Sequence, residues 1–155
     1  SGLSIAGCSG PPDIRDTGAS APEFAPFLWG ERPMNVSFTF DESARVLTVH
    51  YAGEPTLEEW TETMLAAMSD PRFRPGIKLL LDRHLVGTPS PDFVHGVADF
   101  VGLHRAALAQ CKGAILVGGK GAYGMARMGQ ALLTFHGVTF EILESAEAAE
   151  EWLRR

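Results

Sequence analysis

The sequence has few cysteines, no basic run and no long apolar run, and each shortage removes a class of protein. Its two cysteines, Cys8 and Cys111, are too few for a disulfide scaffold and form no CxxC pair. A reduced, cytoplasmic protein is the expectation. Lys and Arg number 13 against 19 Asp and Glu, for a formal net charge of −6. Nucleic acids and anionic membrane surfaces are recognised by clustered cations, so neither is expected as a partner. No apolar stretch approaches the roughly 20 residues of a membrane-spanning helix. No nucleophile, base and acid occur in a pattern that would assemble a catalytic site. The chain is therefore expected to be no enzyme and to carry no cofactor and no metal.

What is present suffices for one folded domain. Apolar residues make up 45% of 155, enough to bury a core. Residues 1–33 stand apart: they hold five of the ten prolines and no apolar period, so they read as an extended N-terminal arm. Leu3–Cys8 looks like a lipoprotein cleavage box, but only seven residues precede Cys8 and none is basic, so export is not expected. Met34 opens the patterned region, residues 34–155, and the arm is either native or an upstream extension. Phe24, Phe27, Leu28 and Trp29 are the side chains that could pin it, to its own domain or to a second copy in a homodimer.

From Met34 onward the apolar period alternates between two and 3.6 residues. Val36, Phe38 and Phe40, then Leu47, Val49 and Tyr51, predict a hairpin. Thr56-Leu-Glu-Glu59 is a capping box opening a helix to about Ser69, with Leu57, Trp60, Met64, Leu65 and Met68 as its stripe. Ile77–Leu81 is a short apolar run, interrupted only by Lys78, of the kind found in a central strand buried on both faces, with Asp82 at its end. Ser90-Pro91-Asp92 starts a second helix, reaching about Ala109 with Val94, Val97, Val101 and Leu108 on one side. Ala114–Val117 is a further buried strand, followed by a glycine-rich turn and a helix from about Ala122 to Phe135. That helix points Met125, Met128, Leu132 and Phe135 inward. Val138, Phe140 and Ile142 predict an edge strand, and Ser145 caps a last helix carrying Ala149, Trp152 and Leu153. The order β-β-α-β-α-β-α-β-α predicts an α/β protein with a five-stranded, mixed, mostly parallel sheet.

Several of these segments together resemble a known family: Gly53-Glu-Pro-Thr-Leu-Glu-Glu-Trp60, Asp70-Pro-Arg-Phe73, Leu79-Leu-Leu-Asp82, Ala122-Tyr-Gly-Met-Ala-Arg-Met128 and Ala149-Glu-Glu-Trp-Leu153. Over Met34–Leu153 the chain is similar to the SpoIIAA-like branch of the STAS superfamily. The resemblance implies the SpoIIAA-like fold and a non-enzymatic binding or regulatory module. Antagonists in that superfamily are switched by phosphorylation of a serine in an Asp-Ser-Ser-Gly-like motif. Here Asp82 resembles the acid closing the preceding strand, but the serine motif is replaced by Thr88-Pro-Ser-Pro-Asp92. Ser90 at a helix start, or Thr88, could accept phosphate, though Ser90 is also an ordinary N-cap.

Gly119-Lys-Gly-Ala-Tyr-Gly124 spells GxGxxG between a strand and a helix, and Glu141 follows about 20 residues on, as a dinucleotide site asks. Its place after the fourth strand rather than the first, and the exposed mid-strand position expected of Glu141, argue against that use. A weak anion site at Gly119, Lys120 and Gly121 remains the alternative reading, with Tyr123 and Arg127, four residues apart, either pairing together or joining it. Asp82 and His84 could form an acid–base pair at a strand end. Asp92, His95 and Asp99 share a helix face that is expected to be solvated rather than metal-binding, and His104 is expected as a satisfied core histidine. Cys111 reads as a buried thiol. The candidate ligand-binding residues are thus Asp82, His84, Gly119, Lys120, Gly121, Tyr123 and Arg127. The expected partner is a protein or a small apolar ligand, which could bind between helices and sheet.

Overall fold

The computed structural model describes residues 34–155, and the expected arm, with Cys8, Phe24, Phe27, Leu28 and Trp29, lies outside the described residues. Strand β1 (Val36–Asp41) pairs antiparallel with β2 (Val46–Tyr51), Val36 opposite Tyr51. Helix α1 (Leu57–Met68) crosses to β3 (Lys78–Asp82), which runs parallel to β2. Helix α2 (Pro91–Leu103) and the single turn α3 (Arg105–Leu108) lead to β4 (Lys112–Leu116). Helix α4 (Lys120–Phe135), β5 (Phe140–Leu143) and α5 (Ala146–Arg154) complete the chain. The sheet order is β1-β2-β3-β4-β5, antiparallel in the first pair and parallel thereafter. This is the α/β architecture and strand–helix order that the sequence pattern predicts, with α3 added.

Local chemistry sets the element boundaries. Thr56 caps α1 reciprocally: its hydroxyl accepts from the Glu59 N–H at 3.0 Å and its own N–H donates to the Glu59 carboxylate at 3.0 Å. Ser90 and Ser145 cap α2 and α5 through hydroxyls that accept from Phe93 N and Ala148 N, both at 3.1 Å. Strand β3 is buried on both faces, as its continuous apolar run implies. Leu79 and Leu81 face a large core with α1, α2 and α4, whereas Leu80 joins Ala114, Leu116, Leu143, Ala149 and Trp152 beneath α5. In the large core Trp60 meets Phe100 and Phe93 edge-on, with ring centroids 5.2 and 6.3 Å apart. Such pairs add about 0.5–1.5 kcal/mol each beyond the area they bury.

Several expectations need correction. Strand β4 begins at Lys112 rather than Ala114 and ends at Leu116. Helix α4 begins at Lys120, not Ala122, because Gly119 is already the extended N-cap residue; the turn proper is Gly118-Gly119. Phe135 is 84% exposed, and Leu133 takes the inward position instead. In α1 the stripe rotates onto Trp60, Thr63, Met64 and Ala67, leaving Leu57 and Leu65 exposed. Helix α2 breaks at His104, after Leu103 rather than Ala109. His104 is not a satisfied core histidine: it is half-buried and stacked on Phe100, with ring centroids 4.3 Å apart.

Candidate ligand cavity

The period-two alternation of β3 continues one residue past its end. Leu79, Leu81 and Arg83 therefore share the face packed by α1, α2 and α4, while Leu80 and Asp82 take the other. Between that face and the three helices lies an apolar cavity of about 70 Å3. Tyr51, Trp60, Leu81, Phe93, Val94 and Leu133 are among the side chains around it. Among the described residues, Arg83 is the one charged residue on its lining.

Arg83 is only 6% exposed. Its Nη2 donates to the Glu54 carboxylate at 2.7 Å and to the Gly87 carbonyl at 3.3 Å. Its guanidinium carbon lies 4.6 Å from the Tyr51 ring centre and 5.8 Å from that of Phe93. Its Nη1 is buried and has no hydrogen-bond partner among the described residues. Buried polar atoms are nearly always paired, so an orphan cationic donor on an apolar cavity is unusual. Tyr51, at the end of β2, accepts a hydrogen bond from the Trp60 indole at 2.7 Å. Burial pushes its hydroxyl pKa up to about 12, against the opposing pull of Arg83, so the hydroxyl keeps its proton. Arg83 and Tyr51 both sit at the carboxyl ends of parallel-sheet strands, where open α/β sheets commonly bind ligands.

None of the sequence candidates lines this cavity. Asp82 and His84 are brought together: Oδ1 of Asp82 meets the His84 ring Nδ1 and accepts from the His84 backbone N–H at 3.3 Å. The loop they begin packs on the start of α4. A Cβ on Gly118 would lie 2.4 Å from the His84 carbonyl oxygen, and one on Gly121 would lie 2.7 Å from Thr88 Oγ1. Gly119, Lys120 and Gly121 are exposed. Tyr123 is half-buried against the main core, Arg127 is exposed, and no cation–π contact joins them among the described residues. Glu141 is exposed opposite Ala114, in the middle of its strand rather than at the end where a ribose would need it. Asp92, His95 and Asp99 are all exposed, and no group of three or more metal-ligating side chains occurs among the described residues. Cys111 is buried, which raises its thiol pKa to about 11.

The sequence reading passed over Arg83, Tyr51, Trp60 and Glu54 as site residues. Arg83 had a legible signal: it extends the Leu79–Leu81 alternation inward from a strand end. The Glu54 partnership had none, because the two residues lie 29 positions apart. Compared with protein-family models, with curated proteins and with solved structures, the chain has no match in any of the three. No helix among the described residues is long and apolar enough to cross a membrane.

Proposed function

We propose that this chain is a non-enzymatic binding module of the SpoIIAA-like branch of the STAS superfamily, and that it takes a small apolar ligand between its sheet and helices. The family assignment rests on the motifs between Gly53 and Leu153. The ligand reading rests on one observation, an apolar cavity of about 70 Å3 between the sheet and the helices, lined by a buried arginine. Cavities with apolar walls stay dry and accept apolar guests. Native mass spectrometry of the purified chain, beside its denatured mass, tests this reading. A small adduct lost on denaturation supports it. A bare protein that also takes up no added apolar probe removes it.

Recognition of a protein, including a second copy, is a further reading with its own support. Leu103 and Phe135 are 80% and 84% exposed at the ends of α2 and α4. They flank the packing of Gly102 on His136, where a Cβ on the glycine would lie 2.6 Å from the imidazole. Light scattering that reads a monomer for wild type, at every concentration reached, would remove the homodimer. Nucleotide binding at Gly119–Gly124 has less support, since Thr88 occupies the approach to Gly121 and Glu141 lies mid-strand. Binding of ATP or NAD that Lys120→Ala abolishes would restore it.

A further inference from the structure

We propose that the Arg83 guanidinium and the Tyr51 hydroxyl together hold the neutral carbonyl oxygen of a small ligand whose apolar body fills the cavity. The inference rests on the cavity reading above and adds the chemistry of the occupant. Size follows from volume: a cavity of about 150 Å3 takes benzene, so one of about 70 Å3 takes roughly three or four heavy atoms.

The polar end is made of donors. Arg83 Nη2 is committed to Glu54 and Gly87, and Nη1 is buried without a partner among the described residues. The Tyr51 oxygen accepts from Trp60, which leaves its hydroxyl hydrogen to be donated. The guanidinium carbon lies 4.6 Å from the centre of the Tyr51 ring, and both residues line the cavity. Two donors call for an acceptor, and a carbonyl oxygen carries two lone pairs. Charge selects among acceptors. Glu54, 2.7 Å from Nη2, already balances Arg83, so a ligand carboxylate would bring a second anion to the same guanidinium. A neutral oxygen meets the orphan donor without that repulsion. The remaining walls are apolar, so the ligand carries one polar group only.

Three probes of one shape test this on the full chain: acetone, isobutene, in which CH2 replaces its oxygen, and acetate. Binding is read from methyl chemical shifts of Val94 and Leu133, which line the cavity. The ketone is expected to bind about tenfold or more tighter than either isostere, the loss typical of leaving a buried charged donor unpaired. Arg83→Met should shrink the ketone's advantage over the alkene to the few-fold that the Tyr51 hydroxyl alone supplies, while alkene binding persists. The comparison among probes on wild-type protein stands even if that variant fails to fold. Equal binding of ketone and alkene would overturn the anchor but leave the cavity reading intact. Preference for acetate would overturn the neutral class. No binding by any probe would overturn both.

Discussion

The Trp60 indole N–H donates to the Tyr51 hydroxyl at 2.7 Å, tying the first turn of α1 to the last residue of β2 inside the core. Both residues are nearly inaccessible, at 2% and 3% exposure. Tyr51→Phe keeps the ring and strands the indole N–H. The expected loss is about 1–3 kcal/mol, the cost of an unpaired buried donor. Urea unfolding should show a lower midpoint with an unchanged slope; an unchanged midpoint would mean that the indole finds another acceptor.

The adjacent glycines 118 and 119 are expected to respond with opposite signs. A Cβ at Gly118 meets backbone, the His84 carbonyl oxygen at 2.4 Å, so the loop must shift. Gly118→Ala should cost about 1–3 kcal/mol, as overpacking does. Gly119 has open space, an extended backbone and no side-chain cap on α4. Gly119→Ser should add a cap and gain a few tenths of a kcal/mol. Thermal unfolding of the two variants beside wild type checks both signs.

Ser90→Ala removes the hydroxyl that accepts from Phe93 N at 3.1 Å. The expected destabilisation is about 1 kcal/mol, within the range measured for N-caps. If Ser90 serves only as a cap, Ser90→Asp should recover most of that stability, because aspartate caps as well as serine. A midpoint for Ser90→Asp as low as that of Ser90→Ala would show that the loop geometry accepts only a hydroxyl.

Alkaline pH should weaken the fold. Burial raises the Cys111 thiol from 9.0 to about 11 and the Tyr51 hydroxyl from 10.0 to about 12. From about pH 9 upward the unfolded chain therefore binds fewer protons than the folded one, and stability falls as pH rises. The contribution of these groups is complete below about pH 9 and is lost as pH climbs through their folded values. Denaturant midpoints measured at increasing pH check this. Cys111→Ala should flatten the lower part of the decline, and a flat profile in wild type would mean that neither the thiol nor the Tyr51 hydroxyl is shielded by the fold.

Much of the architecture was legible because it is written in short-range patterns. The alternation in Val36–Phe40 and Leu47–Tyr51, the Thr56–Glu59 box and the Ser90-Pro91 start each act within a few residues, and each reappears at its expected place. The two-sided burial of Ile77–Leu81 was legible too, since a continuous apolar run needs cover on both faces. The errors came where small residues take inward positions that apolar character alone would give to large ones. Ala67 and Ala126 face the core, while Leu65 and Phe135 do not.

The sequence by itself determined the order of strands and helices, their caps and the apolar faces that had to be covered, because hydrogen bonding and period act locally. Only the tertiary structure decided where a ligand could sit. The parallel crossovers bring Tyr51, Glu54, Trp60, Arg83 and Phe93 to one end of the sheet from four separate segments. The buried arginine gains its ion pair, and its unpaired nitrogen on an apolar cavity, from neighbours that no spacing along the chain encodes.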